Sequence, residues 1–205
     1  MSTSIQDAPD IDLTAEQITL LLAIARTAVK QGVGGNEQWR PDLHALPDRL
    51  HQPGASFVTL YTRGDLHGCI GSVTAILPLA HDVAKNAISA ALHDPRFPPL
   101  RQDELDDTEI EISILSPMQE IRYNDFDDLI RQIKPGEDGI LVERGWQRGL
   151  LLHQVWEKLP NPREFLIHVA LKAHATPDIY ADPDARVYKF QVHHFTQPAP
   201  KSQNE

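Results

Sequence analysis

The sequence predicts an α+β fold, and three observations carry that prediction. Apolar residues recur at helical spacing in two long stretches: Ile18, Leu21, Leu22, Ala25, Ala28 and Val29, then Leu79, Val83, Ala84, Ala87, Ile88 and Ala91. Ile110, Ile112 and Ile114 alternate with Glu109, Glu111 and Ser113, the pattern of a strand with one buried face. Helical and extended stretches are interspersed without the strict strand–helix rhythm of a doubly wound parallel sheet. Mostly antiparallel or mixed sheet with flanking helices is the architecture expected.

Taken in order, residues 1–12 are polar and acidic and read as an N-terminal tail. Thr14 and Gln17 form a capping box for the first helix, which Gln31-Gly32-Val33-Gly34-Gly35 ends. Asn36 to Gly54 is polar, carries three prolines and reads as irregular loop. A hairpin follows, Phe57 to Tyr61 and then Leu66 to Ser72, joined through Arg63-Gly64-Asp65 with Gly64 opening a Gly-X turn. Pro78 starts the second helix, and Asp94 to Leu100 is a proline-punctuated turn. Phe126, Leu129, Ile130 and Ile133 mark a short third helix, ended by Pro135-Gly136. Gly139 to Glu143 and Gly149 to Leu152 form a second hairpin across Arg144-Gly145-Trp146. A last helix runs from Pro162 to Ala173, Val187 to Phe195 is one closing strand, and residues 196–205 are a polar tail. The domain proper is then 13–195.

Size and charge narrow the classes of function. A chain of 205 residues can bury about 70% of its unfolded surface, so it needs no disulfide or metal to fold. One cysteine permits no internal disulfide, which fits a reducing cytoplasm. The longest apolar run, Leu20 to Ala25, is too short to span a bilayer. A formal net charge of −10 disfavours a nonspecific grip on nucleic acid or anionic membrane. There is no Gly-x-Gly-x-x-Gly, no Walker sequence and no nucleophile elbow, so no cofactor is expected. Ten histidines show no helical His-x-x-x-His pair, and one cysteine cannot make the usual zinc site, so no metal is expected either.

The chemistry-bearing candidates begin at Cys69. On an extended strand His67, Cys69 and Gly71 share a face, which sets an imidazole two residues from the thiol. Cys69 is then a nucleophile or redox thiol assisted by His67, or an inert small residue of the sheet. Arg96, on the stiff proline turn, is an anion clamp or the ion-pair partner of Asp94. Glu111, on the polar side of its strand, is a general base or a solvated residue. His153, Gln154 and Trp156 bring a ring, an amide and an indole together, which suits a binding pocket, although Trp156 also suits a core.

Leu66-His67-Gly68-Cys69-Ile70-Gly71-Ser72 resembles the signature of the AMMECR-type domain family, whose bacterial members are called AmmeMemoRadiSam system protein A. Asp94-Pro95-Arg96-Phe97-Pro98-Pro99-Leu100, Glu109 to Ser116, Pro135-Gly136-Glu137-Asp138-Gly139 and Gln154-Val155-Trp156-Glu157 resemble further blocks of that family, in its order. His67 stands where the family usually has arginine, and His153 where it usually has proline. The resemblance implies a domain of two lobes with the Cys69 hairpin near the cleft between them. It also implies an accessory protein of the AmmeMemoRadiSam system that binds a small ligand, such as a small anion, or a protein partner. Those partners would be a Memo-like protein and a radical S-adenosylmethionine protein. The alternative is a cysteine-dependent enzyme with Cys69 as nucleophile and His67 as its base or electrostatic partner.

Overall fold

The fold is that of a computed structural model, which describes residues 13–200. The expected N-terminal tail therefore lies outside the described residues. The chain forms two compact units, one from residues 13–115 and 193–200, the other from 116–192.

The first unit opens with helix α1 (Ala15–Val33), started by the expected capping box: Thr14 Oγ1 accepts from the Gln17 N–H, and Gln17 Oε1 accepts from the Thr14 N–H. Strands β1 (Ser56–Thr62) and β2 (Asp65–Gly71) make an antiparallel hairpin. Its turn is Arg63-Gly64, not Gly64-Asp65. Both residues have positive φ, 55° and 86°, because a two-residue turn of the twist that suits a hairpin needs this at both positions. Helix α2 (Leu79–Leu92) follows, then β3 (Thr108–Leu115), which pairs antiparallel with β1.

In the second unit come β4 (Gln119–Glu120), α3 (Phe126–Arg131), the hairpin β5 (Gly139–Arg144) and β6 (Gln147–Leu151), α4 (Pro162–Lys172) and β7 (Arg186–Phe190). The chain returns to the first unit along β8 (Val192–Gln197). The sheet orders are β2-β1-β3-β8 and β4-β7-β5-β6.

Two expectations about the C-terminal part change. Val187 to Phe195 is not one strand: it breaks at Gln191 into β7 and β8, which belong to different sheets. Residue 196 does not begin a tail either. β8 runs through Gln197, whose side chain accepts from buried Arg26 at 3.0 Å, and Arg26 also donates to Thr108 O at 2.7 Å and Pro198 O at 3.4 Å. That guanidinium thus joins α1 to the start of β3 and to the end of β8, and it holds Pro198 just beyond that strand.

Ile110, Ile112 and Ile114 are buried as their alternation requires, against Leu21, Val29, Val58, Leu60 and Val83. Helix α2 presents Ala80, Ala84, Ala87, Ala90 and Ala91 to this core, and such small side chains let it sit close to the sheet. The approach is tightest at Gly68, where a Cβ would stand 2.0 Å from the Ala90 carbonyl oxygen. The first turn of α2 is tied down by buried Asp82, which accepts from the Ser56 N–H and hydroxyl, the Ser72 hydroxyl and the Asn86 amide. Burial pushes the Asp82 carboxyl up, and the hydrogen bonds from Ser72 and Ser56 pull it back. In the second unit Gly149 plays the part of Gly68: a Cβ there would lie 2.2 Å from the Val169 carbonyl oxygen in α4.

Gly68→Ala forces the β2 backbone away from α2, and overpacking of this kind costs about 1–3 kcal/mol. A fall of that size in the unfolding free energy from urea titration is expected, with a smaller fall for Gly64→Ala, where only the positive φ is offended.

Candidate functional site

β2 is an edge strand, and Cys69 lies on its side away from α2, since its neighbour Gly68 meets that helix and Ile70 packs on the core. Cys69 pairs with Thr59 across the hairpin, and Thr59 pairs with Glu111 on β3. The three residues make a transverse row on one face. The Thr59 hydroxyl donates to Cys69 Sγ at 3.2 Å.

An edge strand leaves alternate backbone groups without a neighbouring strand. At Cys69 both are taken by one ion pair. The Cys69 N–H donates to Asp94 Oδ2 at 2.9 Å, and Arg96 Nη2 donates to Cys69 O at 3.2 Å. Arg96 in turn grips Asp94 with Nε on Oδ1 at 2.9 Å and Nη2 on Oδ2 at 2.6 Å. The Asp94 side chain is 2% exposed and that of Arg96 56%, so a buried carboxylate is answered by a cation at the surface. The Arg96 guanidinium holds the Asp94 carboxyl far below the usual carboxylate range, aided by the Cys69 and Arg96 N–H groups and opposed by burial. Of the two readings of Arg96 the structure shows the ion pair with Asp94, and it places that pair beside Cys69.

His67 does not join that row. Leu60 pairs with Gly68 and Tyr61 with Leu66, which leaves His67 as the extra residue of a β-bulge. Its ring stacks on Phe97 with centroids 6.4 Å apart, and Arg96 lies over the same Phe97 ring at 5.3 Å. Among the described residues no hydrogen bond links His67 to Cys69, and His67 Nε2 is buried with no hydrogen-bond partner. Sequence spacing suggested a thiol–imidazole pair; the bulge inserts one residue into the alternation and sends the ring to the proline turn.

The row continues beyond Glu111 through residues that spacing could not find. His194 on β8 hydrogen-bonds Ser113 Oγ through Nδ1 at 2.8 Å and lies 3.5 Å from Glu111 Oε1. Tyr61 sits on the same face, and its hydroxyl is pushed up by burial first and then by Glu111, Cys69 and Glu109. Tyr61, Glu109 and Glu111 line a depression of about 570 Å³, with the Arg63–Asp107 pair at its rim. The face thus offers a part-exposed thiol, a hydroxyl donor to it and a run of carboxylates.

His153, Gln154 and Trp156 belong to the other unit, on a 3-10 turn that follows β6. Trp156 is core: it is buried, stacks on Phe165 at 3.7 Å and donates its indole N–H to Asp138 O at 2.7 Å. Its rim, with His153, Gln154 and Pro135, lines a shallow hollow of about 380 Å³. Among the described residues no three His, Cys, Asp or Glu side chains gather as a metal ion would require, and no helix is long and apolar enough to cross a membrane.

A family model described as AMMECR1 matches residues 22–195, which spans both sheets and the Cys69 hairpin. The chain belongs to the AMMECR1 family. Among AMMECR1 relatives, a protein of Methanothermobacter thermautotrophicus is 42% identical, over 89% of this chain and 95% of its own. Protein MJ0810 of Methanocaldococcus jannaschii is 34% identical over 93% and 95%. The crystal structure of the uncharacterized protein PH0010 from Pyrococcus horikoshii superposes with a TM-score of 0.74 at 36% identity, covering 92% of this chain and 95% of that one. These matches confirm the resemblance read from the motifs of this AMMECR1 chain.

Asp94→Asn removes the carboxylate while leaving Arg96 and the Cys69 N–H in place, and a loss of about 1–3 kcal/mol is expected. Because the folded carboxyl titrates below its unfolded value of about 3.9, its contribution is complete above that pH and falls away as pH drops through the folded value. Denaturant titrations should therefore show parent and variant separated at pH 7 and converging below about pH 3.

Proposed function

We propose that this AMMECR1 protein is an accessory binding protein whose contact surface is the Cys69 face of the first sheet. The observation that carries the reading is the double clamp on Cys69. Its N–H and C=O are both fixed by the Asp94–Arg96 pair while its side chain stays part-exposed. A backbone held in advance has little ordering entropy left to lose when a ligand or partner docks. Family membership supports a place in the AmmeMemoRadiSam system, with a Memo-like protein or a radical S-adenosylmethionine protein as the partner, in a reducing cytoplasm where the thiol survives. An anionic ligand at Arg96 would have to share a guanidinium already committed to Asp94.

One observation favours a second reading, a cysteine-dependent enzyme: the Thr59 hydroxyl donates to Sγ and would stabilise a thiolate. A thiol nucleophile is activated by a neighbouring base or cation, and His67, the residue that would serve, is drawn to Phe97 and makes no hydrogen bond to Cys69 among the described residues. Binding is the better supported of the two.

Iodoacetamide labelling of the native protein across pH separates them. A binding role predicts that Cys69 is alkylated no faster than the thiol of a short unstructured peptide labelled alongside it at each pH. Fast labelling at pH 6 that Thr59→Val slows at least tenfold would replace it with the enzyme. Co-purification at native abundance, with mass spectrometry of proteins and small molecules, should recover the same companions with Cys69→Ser and fewer with Glu111→Gln.

A further inference from the structure

A second cavity of the first unit lies apart from the Cys69 row, where the loop after α1 meets the outer side of α2. It measures about 240 Å³, and its lining includes Glu37, Trp39, Arg40, His81, Lys85 and Ile88. We propose that it binds a small organic anion, a phosphate or carboxylate head group on a flat apolar body.

The charge pattern points to that class. The chain carries a formal −10, yet two cationic side chains converge here. Among the described residues neither Arg40 nor Lys85 has a carboxylate within ion-pair distance, so both charges are available to a ligand. Buried Asp82, three residues before Lys85 in α2, senses its charge but spends its oxygens on Ser56, Ser72 and Asn86. The one carboxylate in the lining, Glu37, is engaged by His93, which bonds its Oε2 through Nε2 at 2.8 Å.

The walls supply the other half of the recognition. Trp39 is half-buried and packs on the core, Ile88 is buried, and Leu77 closes the side. The His81 ring is fixed because its Nε2–H donates to the Pro41 carbonyl at 3.1 Å, which also ties the loop to α2. An apolar floor with a few convergent donors is the usual form of a small-molecule site, and guanidinium with ammonium suits an anionic oxygen cluster.

The test uses phenyl phosphate and inorganic phosphate as probes, titrated into the full chain by calorimetry at constant ionic strength, with tryptophan fluorescence read in parallel. Saturable binding of phenyl phosphate is expected, at least tenfold tighter than inorganic phosphate. Arg40→Gln/Lys85→Gln should weaken it at least tenfold while melting like the parent, since both side chains are exposed. If the double variant melts early, Lys85→Gln alone is measured and should weaken binding at least threefold. Trp39→Phe should abolish the fluorescence change. No saturable binding up to about 10 mM, equal affinity for the two probes, or unchanged affinity in the charge variant overturns the proposal.

Discussion

The contact between Gly68 and the Ala90 carbonyl is the constraint on which the first unit turns. A strand can lie against a helix backbone only where the strand has no side chain. With Gly68 committed to the helix side, alternation puts Cys69 on the opposite side. The same contact fixes the height at which α2 ends relative to β2. Leu92 is two residues past Ala90, and the turn that follows delivers Asp94 to the Cys69 N–H and Arg96 to the Cys69 carbonyl. One missing Cβ thus determines which way the thiol faces and which groups hold its backbone. The second unit repeats the device with Gly149 against α4, and there too the glycine sits on an edge strand.

Much of this fold was legible because its signals are local. The capping box at Thr14, the stripes of α1 and α2 and the alternation of β3 each report on a few neighbouring residues, and each element forms where its signal lies. The family blocks were legible for a different reason, as a resemblance. What escaped was non-local or broke a period. The β-bulge at His67 inserts one residue into an otherwise regular alternation, and no residue type announces it. The change of sheet at Gln191 depends on two distant ladders competing for one stretch of chain.

The candidate site was half legible for the same reason. Cys69, Arg96 and Glu111 were reachable from motif blocks and prove to be neighbours through register and the clamp. Thr59, Ser113 and His194 were not, because each acquires its meaning only from the strand beside it. His153, Gln154 and Trp156 looked like one pocket, and the structure gives the indole to the core instead, where it satisfies the Asp138 carbonyl. A tryptophan next to polar residues reads the same way in either role.

The insertion of one unit within the other bears on how the chain is made. Ser113 and His194 are 81 residues apart, and Arg26 and Gln197 are 171 apart. Contacts of such long separation are slow to form, because the chain between them must be ordered or looped out first. During synthesis β3 emerges long before β8, and the whole 116–192 unit must pass through the ribosome in between. Until then the first sheet has an open edge at β3 and Arg26 lacks its Gln197 and Pro198 acceptors. An open edge beside apolar Ile110, Ile112 and Ile114 is a template for pairing with other nascent chains. The last few residues of the described chain are accordingly a lock on its folding: they complete the sheet, and they do so last.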